Sequence, residues 1–432
     1  MGLVAKRSGL IDTENAFKVG PYIRAIEEQG KKVIKCNLGE PDFPVPQFIK
    51  EEVKRQIDLD NTHYCDPQGI LPLRKAIAKH FSQTRGIQAT PDRVVVFPGA
   101  KPPIGFCQQT YCDPGDEVVY PSPGFPIYES FISYVGAKPV PVHLQETQGF
   151  SLSGKELSAL LTRQSKLIFL NFPSNPTGGV ASEEQLQDIA EVIRDRCSDE
   201  VRVFSDEVYE HILFDGSRHR SIISCPGMEQ ITILVSGASK SFSWTGGRIG
   251  WALFPTKEEA DLFRNLNINY FSCIPAYNQE GARLAVESPQ SREAIGEMVR
   301  VFQQRRDLVV EALNAIDGIQ CQTPKGAFYV FPNIAGVCEH LGIMEAYRGL
   351  PPQVKERTSP STLFQMFLLF EYQVATLDRK SFGRIGTESL HYLRLSIATE
   401  TEALREGMRR IAAAAADRQG FQQFLSRGEH LY

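Results

Sequence analysis

Four separated segments of the chain carry side chains that suit chemistry on a small organic molecule. They span residues 171–178, 205–210, 236–250 and 392–396. Lys240 lies in the third segment, and the lysine amine is the side chain that condenses with an aldehyde to give a Schiff base. Asp206 offers a carboxylate that can keep a nearby nitrogen protonated, and Arg394 can grip a carboxylate through two parallel hydrogen bonds. These types favour covalent chemistry on a carboxylate-bearing molecule.

Short apolar runs rich in valine and isoleucine supply the elements that must position these segments. They predict strands buried on both faces of a mostly parallel sheet, at residues 94–97, 117–120, 167–171, 201–204 and 231–235. Residues 182–197 give the clearest helical pattern, with Ser182 and Gln185 spaced as a capping box. Because open α/β sheets bind ligands at the carboxyl ends of their strands, we expect the segments to meet in one cleft.

The order of elements predicts an α/β protein with two domains. We expect residues 46–318 to form a large domain, and residues 319–432 a small α+β domain that the N-terminal segment, residues 1–45, joins. A helical pattern at 291–316 would bridge the two. Further strands are predicted at 326–331, 374–377 and 392–397, a closing helix at 401–415, and a surface insertion at 350–360.

Taken together, the four segments resemble the class I and II aminotransferases of the pyridoxal-phosphate-dependent fold type I, in particular the aspartate-aminotransferase-like members. Order, residue types and spacing match from about Gly39 to Arg394. The resemblance implies a large domain with a mostly parallel central sheet flanked by helices, a smaller α+β domain, and pyridoxal 5′-phosphate as cofactor. It also implies a homodimer with shared active sites.

The resemblance assigns the catalytic positions to Lys240, Asp206 and Tyr209. Lys240 falls on the lysine that holds the cofactor as a Schiff base and moves the substrate's Cα proton. Asp206 matches the carboxylate that keeps the pyridine nitrogen protonated, and Tyr209 matches the phenol that hydrogen-bonds the cofactor's 3′ oxygen, which Asn175 shares. Without Lys240, Asp206 and Tyr209 would be interpreted as capping a helix after a strand.

The phosphate of the cofactor needs backbone NH groups and a bidentate cation. The turn that contains Ala100 and Lys101 follows a predicted strand and opens a predicted helix, so its amides suit a phosphate. Ser239 and Arg248 match the family's other phosphate ligands. Tyr64 resembles the tyrosine that reaches the phosphate of the neighbouring subunit.

The remaining assigned residues face the cofactor ring or the substrate. Phe125 matches the aromatic residue that stacks on the ring, although a phenylalanine of the core is the alternative interpretation. Arg394 matches the clamp on the α-carboxylate, with Asn175 beside it, and Gly39 belongs to the entrance segment that closes over the carboxylate.

The implied reaction is ping-pong transfer of an amino group from an L-amino acid to a 2-oxo acid such as 2-oxoglutarate. Lys101 stands where some aspartate-using members bind the distal carboxylate of the substrate, which motivates the hypothesis of aspartate or another acidic donor. A role at the phosphate or exposure to solvent is open for the same lysine.

Composition excludes several other classes of protein. A net charge of −4 over 432 residues, with short scattered basic clusters, argues against a nucleic-acid partner. No run approaches the apolar length that a bilayer requires, so we expect no membrane partner. Nine cysteines without a Cys-x-x-Cys pair, and histidines without metal-ligand spacing, predict a reducing cytoplasm and no metal.

Three alternative functions compete with amino transfer. A carbon-sulfur β-lyase or another pyridoxal phosphate lyase uses the same fold, so it stays open. An aminotransferase-like transcription regulator would need a DNA-binding domain, for which the stretch before Gly39 is expected to be too short. A dehydrogenase is disfavoured because residues 246–250 lack the Gly-x-Gly-x-x-Gly spacing.

Two departures from the family pattern are visible. Gly247 stands where members often carry tryptophan, while Trp244 lies three positions earlier, so the packing near the cofactor is expected to differ. Residues 335–360 are longer than usual and could reshape the entrance to the site.

Overall fold

Twelve strands form within residues 3–428, the part of the chain that this computed structural model describes. Seven build the central sheet: β2 (Val94–Phe97), β3 (Glu117–Ser122), β4 (Lys138–His143), β5 (Ser165–Asn171), β6 (Arg202–Asp206), β7 (Thr232–Gly237) and β8 (Gly250–Leu253). Five shorter strands lie elsewhere: β1 (Ile34–Lys35), β9 (Tyr329–Val330), β10 (Val374–Ala375), β11 (Leu377–Asp378) and β12 (Leu393–Ser396). The five predicted strands of the sheet are all present.

The central sheet has the strand order β2-β8-β7-β6-β5-β3-β4. Only β8 runs against the others, pairing antiparallel with β2 and β7, while β3 to β7 pair parallel. The prediction of a mostly parallel sheet is therefore confirmed. The register places Asn171 beside Asp206, and Asp206 beside Val235, at the carboxyl ends of three neighbouring strands.

Helices cover both faces of this sheet, which explains why its strands are apolar throughout. Val95 and Phe97 point into one core and Val94 and Val96 into another. The helices of residues 3–428, in chain order, are α1 (Asn15–Lys18), α2 (Gly20–Glu28), α3 (Gln47–Asp58), α4 (Leu71–Arg85), α5 (Pro102–Tyr111), α6 (Pro126–Val135), α7 (Gly154–Ser158), α8 (Glu183–Arg196), α9 (Ala238–Ser241), α10 (Lys257–Phe271), α11 (Ala276–Glu287), α12 (Gln290–Asn314), α13 (Ala335–His340), α14 (Ile343–Gly349), α15 (Pro352–Lys355), α16 (Pro360–Tyr372), α17 (Thr401–Ala416) and α18 (Arg418–Arg427).

Local sequence signals set several helix ends. In α8 the Ser182 hydroxyl accepts from the Gln185 amide and the Gln185 side chain accepts from the Ser182 amide, so the predicted capping box is present. The predicted helix at 291–316 is α12, and the predicted closing helix is α17. No helix within residues 3–428 is long and apolar enough to cross a bilayer.

The C-terminal part packs around its own apolar core, which includes residues of α12, α16 and α17. There β11, β12 and β9 form an antiparallel sheet, and β1 from the N-terminal segment pairs parallel with β10. This arrangement brings β12, which carries Arg394, against β11 and β9. The domain boundaries at 46 and 318 stay a prediction.

Two expectations for the C-terminal part were wrong in detail, and one helix of that part was not predicted. The strand expected at 326–331 is reduced to β9, because Ala327 has a φ of 57° and leaves the extended region. The strand expected at 374–377 is two strands that pair in different sheets. The polar end carries an unpredicted helix, α18, which buries Phe421 and Phe424; residues 429–432 lie outside the described part.

Candidate active site

A cavity of about 410 Å³ opens at the carboxyl ends of the central strands. Its walls come from the ends of β5, β6 and β7, from the start of α5, and from the N-terminal segment. Eleven of the twelve site residues predicted from the sequence line it: Gly39, Ala100, Lys101, Phe125, Asn175, Asp206, Tyr209, Ser239, Lys240, Arg248 and Arg394. The segments predicted to meet in one cleft do so.

Lys240 lies in α9, directly after β7, and its amine points into the cavity. The Nζ atom donates a 2.6 Å hydrogen bond to the carbonyl oxygen of Gly39 and lies 5.9 Å from the centre of the Phe328 ring. Burial lowers the pKa of this amine to about 8, because desolvation disfavours the ammonium form. A larger fraction of the amine is therefore uncharged near neutral pH than for an exposed lysine, which makes it a better nucleophile.

Asp206 ends β6 and is buried. The Tyr128 hydroxyl donates a 2.7 Å hydrogen bond to its Oδ2, and the Asn171 amide donates to its carbonyl oxygen at 3.1 Å. Burial raises the pKa of the carboxyl to about 6, and the hydrogen bond from Tyr128 opposes that rise. A buried carboxylate in this state is strongly stabilised by a cationic partner, such as a protonated ring nitrogen.

Tyr209 follows Asp206 by three residues, is buried and lines the cavity. Its hydroxyl lies 2.7 Å from the hydroxyl of Tyr329, and burial raises the pKa of Tyr209 well above its ordinary value. The phenol therefore stays protonated and can donate a hydrogen bond to a ligand oxygen.

Arg394 presents its guanidinium from β12 between two aromatic rings. Its carbon atom Cζ lies 4.5 Å from the centre of the Tyr329 ring and 5.0 Å from that of Phe382. One Nη atom donates to the Asn175 side-chain oxygen at 3.2 Å and the other donates to the Asn37 carbonyl oxygen. The buried Nε has no hydrogen-bond partner among the described residues. A buried N–H group without an acceptor costs free energy.

Gly39 is required by the close approach of Tyr329. A Cβ atom at position 39 would lie 2.2 Å from the Tyr329 hydroxyl oxygen, so a larger residue would displace the ring that supports Arg394. The glycine also keeps its carbonyl oxygen within reach of Lys240.

The turn after β2 forms a cradle for an anion at the start of α5. Gly99 has a φ of 92°, and a Cβ atom at Gly250 would lie 2.5 Å from the Ala100 amide nitrogen. One Nη atom of Arg248 donates to the Pro98 carbonyl oxygen at 3.2 Å, which holds the guanidinium against this turn. Backbone amides, the Arg248 cation and the Ser239 hydroxyl thus surround one part of the cavity, as phosphate binding requires.

Lys101 and Phe125 lie next to each other at the mouth. The Lys101 ammonium donates to the Glu14 carboxylate and lies 5.7 Å from the centre of the Phe125 ring. Lys101 thus faces the cavity; it is not turned wholly to solvent. Phe125 packs edge-on against Tyr128, with ring centres 5.8 Å apart, and its own ring lines the cavity.

Tyr64 is the one predicted site residue that does not line this cavity. It is 88% exposed and lies outside the walls that this chain provides. A single chain therefore does not bring Tyr64 to its own cavity, and its predicted role for a neighbouring subunit stays a prediction.

The structure explains the first departure from the family pattern and does not support the consequence expected of the second. A Cβ atom at Gly247 would lie 2.3 Å from the Trp244 indole, so Trp244 fills the space that a side chain at 247 would take. The expectation that residues 335–360 reshape the entrance is not supported in this chain. These residues form α13, α14 and α15, and none of them lines the cavity.

Several residues at the site were missed by the sequence interpretation. Tyr128 lies only three residues after Phe125, and Asn171 is the last residue of a predicted strand, so a search for polar residues at strand ends would have found Asn171. Glu14 and Tyr329 are remote from the motifs and carry no local signal. Their positions follow from the fold of the whole chain.

A cluster of buried charges lies next to the site but outside the cavity. Glu207 and Glu210 both accept from Arg85, at 2.7 Å and 2.6 Å, and Glu210 also lies near His80 and His211. His80, Glu210 and His211 could hold a metal by distance, yet the Arg85 cation already occupies the Glu210 carboxylate. The cluster stabilises the turn after β6, and the prediction of no metal stays a prediction.

The cavity fits pyridoxal 5′-phosphate on the chemistry of its donors. An amine of lowered pKa, a buried carboxyl of raised pKa, a protonated phenol and an anion cradle line the same space. The Arg394 guanidinium adds a site for a carboxylate. These are the groups that the aldehyde, ring nitrogen, 3′ oxygen and phosphate of the cofactor require.

Comparisons with known proteins agree with this geometry. The family model described as "Aminotransferase class I and II" matches residues 31–411. A probable aspartate/prephenate aminotransferase of Aquifex aeolicus is 35% identical over 94% of this chain and 99% of its own. The crystal structure of the aspartate aminotransferase from Rhizobium meliloti superposes with a TM-score of 0.85 at 33% identity, over 96% of this chain and 99% of that one. The aromatic aminotransferase from Pyrococcus horikoshii superposes with a TM-score of 0.80 at 33% identity, over 92% and 100%.

Proposed function

Because the chain belongs to the class I and II aminotransferase family, we propose that it moves the amino group of an L-amino acid to a 2-oxo acid such as 2-oxoglutarate by a ping-pong reaction. The protein is a pyridoxal-phosphate-dependent aminotransferase of fold type I. The observation that carries the proposal is the convergence of Lys240, Arg394 and Asp206 on one cavity. A ping-pong order fits this arrangement, since one cavity would serve donor and acceptor in turn.

The cofactor, when bound, withdraws electrons from the substrate's Cα and so acidifies the hydrogen on that carbon. Asp206 would keep the proton on the pyridine nitrogen by pairing with it in a buried place. Lys240, displaced from the cofactor by the amine of the substrate, would take the proton from Cα with its uncharged amine and return it to the former aldehyde carbon. Tyr209 would donate a hydrogen bond to the 3′ oxygen, and Asn175, which lines the same cavity, would share that oxygen.

Arg394 and Gly39 fix the substrate. The guanidinium would bind the α-carboxylate, and its contacts with the Tyr329 and Phe382 rings hold it in place. A substrate held by two parallel hydrogen bonds presents its Cα to Lys240 in a fixed orientation.

Ala100, Ser239 and Arg248 would anchor the phosphate, and Phe125 would cover one face of the ring. Tyr64 would reach the phosphate of a second copy, which makes the proposed active unit a homodimer with shared sites. Its 88% exposure in one chain supports this role.

A test is to combine a subunit carrying Tyr64→Ala with one carrying Lys240→Ala. If sites are shared, the mixed dimer has one intact site and regains about half of the wild-type activity per dimer.

Aspartate or another acidic donor is the first substrate to try. Lys101 lines the cavity as the hypothesis of a distal-carboxylate ligand requires, and relatives carry names of aspartate aminotransferases. A relative named as an aromatic aminotransferase supports testing phenylalanine as well.

The absorbance spectrum of the protein with pyridoxal 5′-phosphate tests the function directly. We expect a band that requires Lys240 and that shifts to the pyridoxamine form when a donor is added without an acceptor. Lys240→Ala is the control. Pyruvate and ammonia that accumulate while the band persists would favour a lyase, and a spectrum that does not depend on Lys240 would contradict the site.

The division into domains and the location of the protein belong to the same proposal. A large domain at 46–318 is supported by the central sheet, and a small domain from 1–45 and 319–432 is supported by the pairing of β1 with β10. A reducing cytoplasm is supported by nine cysteines that are all free.

A further inference from the structure

Glu14 enters the cavity from the N-terminal segment and pairs with Lys101. It is the last residue before α1, and its carboxylate accepts a hydrogen bond from the Lys101 ammonium. The two side chains keep 18% and 45% of their exposure, so the pair is partly shielded from water. The ammonium also lies 5.9 Å from the centre of the Phe17 ring and 5.7 Å from that of Phe125. One carboxylate and two rings therefore surround this cation.

The backbone on both sides of Glu14 is fixed to the rest of the protein. The Asp12 amide donates to the Ser130 hydroxyl at 2.8 Å, before Glu14 in the chain. After it, the Asn15 side chain donates to the Ser381 hydroxyl at 2.8 Å. Glu14 is thus placed at the mouth by packing, and its contact with Lys101 is a feature of the fold.

The cations that line the cavity differ in the partners that the proposed function gives them. Lys240 holds the cofactor aldehyde, Arg248 the phosphate and Arg394 the α-carboxylate. Lys101 is the remaining lysine or arginine among the lining residues, and it is the one that already has a carboxylate of the protein on it. A second carboxylate on a substrate would therefore meet a cation that Glu14 already partly neutralises.

We propose that Glu14 is a specificity-determining residue that takes the place of the second carboxylate of a substrate on Lys101. The inference rests on the proposed amino transfer, in which one cavity binds two different substrates in turn. A dicarboxylic substrate displaces Glu14 from Lys101 and puts its own distal carboxylate there. A substrate with an uncharged side chain leaves the Glu14–Lys101 pair intact, so the ammonium keeps a partner when water leaves the cavity. The Glu14–Lys101 pair thus lets one cavity bind both a dicarboxylic substrate and a substrate with an uncharged side chain.

The field of Glu14 extends to the reacting groups. Burial lowers the pKa of Lys240, and the Glu14 carboxylate is the main charge that opposes this. Burial likewise lowers the pKa of Arg394, with Glu14 acting against it. Removal of the Glu14 charge therefore affects both groups for every donor alike, so the ratio between two donors isolates the contact with Lys101.

The test uses Glu14→Gln, which removes the charge and keeps the shape, in the cofactor-loaded enzyme. We expect kcat/KM to rise for L-aspartate and to fall for L-phenylalanine, so that their ratio increases about tenfold, or 1.4 kcal/mol. By calorimetry, succinate should bind more tightly to the variant while butyrate, which has one carboxylate, should not. The double variant Glu14→Gln/Lys101→Ala should lose the gain, because the gain requires the freed ammonium.

Glu40→Gln is the matched control, because Glu40 lines the same cavity but hydrogen-bonds the Thr245 hydroxyl instead of a cation. We expect it to change the ratio by less than about twofold. An unchanged ratio in Glu14→Gln, or a gain that persists without Lys101, overturns the proposal. Failure of every donor to react would contradict amino transfer itself, and the succinate affinities would then still decide the role of Glu14.

Discussion

Replacing Arg394 by lysine should remove most of the affinity for the substrate's α-carboxylate. The charge is kept, but the substitution removes the planar guanidinium and its parallel donors. It also removes the flat surface that stacks between Tyr329 and Phe382. Arg394→Lys therefore separates the geometry of the guanidinium from its charge.

The magnitude follows from these two losses. One charge-assisted hydrogen bond contributes about 1.5–3 kcal/mol, and stacking of the cation on aromatic rings contributes about 0.5–2 kcal/mol. Their sum of about 2–5 kcal/mol lowers kcat/KM by roughly 30-fold to several thousandfold. Since the α-carboxylate is bound before and during the reaction, we expect part of this loss to appear as a higher KM.

The assay is the half-reaction with L-alanine, whose only carboxylate is the one that Arg394 should bind. Absorbance follows the conversion of the cofactor over a range of alanine concentrations. Arg306→Lys is the control, since Arg306 is equally buried but pairs with Asp215 away from the cavity. We expect the control to lose stability and to keep kcat/KM within about twofold of the wild type.

A loss of less than about threefold in Arg394→Lys would refute the reasoning, because it would mean that the planar donor pair contributes little. A similar loss in the Arg306 control would refute it too. In that case the effect would come from the general cost of altering a buried arginine, whatever its place.

Three further predictions follow from the site. The rate at which the apoenzyme takes up pyridoxal 5′-phosphate should rise with pH around a midpoint of about 8, measured by absorbance, because only the uncharged Lys240 amine attacks the aldehyde. Tyr128→Phe should raise the pKa of Asp206 above about 6 in the apoenzyme, measured by carbon NMR of the carboxyl, because the hydrogen bond that favours the charged form is lost; an unchanged value would contradict this cause. Gly247→Leu should lower the free energy of unfolding by about 1–3 kcal/mol in a denaturant titration, since the new side chain meets the Trp244 indole, and Trp244→Ala in the same chain should recover part of the loss.

The pH dependence of stability in the apoenzyme has a sign that follows from burial. The folded pKa of Lys240 lies below its usual 10.5, so the stability linked to this amine is present above that pH and is lost as pH falls through about 8. The folded pKa of Asp206 lies above 3.8, so its contribution is present below pH 3.8 and is lost as pH rises through about 6. Both groups make the apoenzyme less stable at neutral pH than an uncharged site would.

The central sheet was largely predictable because its strands are continuous runs of apolar residues. Strand β4 was not, since its sequence contains Pro139 and Pro141, which argue against a strand. The structure accommodates both prolines because β4 is the edge of the sheet and pairs with β3 alone. Edge position is a property of the assembled sheet, so no local pattern reports it.

The residues of the site likewise fall into two groups, those that a local sequence signal predicts and those whose place depends on distant parts of the chain. Lys240 and Asp206 were predictable because each lies at or just after the end of a strand, in a recognisable segment. Glu14 and Tyr329 were not, since their place depends on how the N-terminal segment and the C-terminal sheet pack against the central one. The pairing of Glu14 with Lys101 joins residues 87 positions apart, a distance over which sequence spacing carries no geometric information.

The walls of the cavity extend along the chain from Glu14 to Arg394. A ribosome must therefore release nearly the whole polypeptide before the site can exist, and the early contacts of the N-terminal segment wait for partners made much later. Since pyridoxal 5′-phosphate needs groups from the entire length, its uptake would report complete folding of the chain and not the folding of one part. A chain truncated between Lys240 and Arg394 would keep Lys240 and still lack part of the cavity that makes its amine reactive.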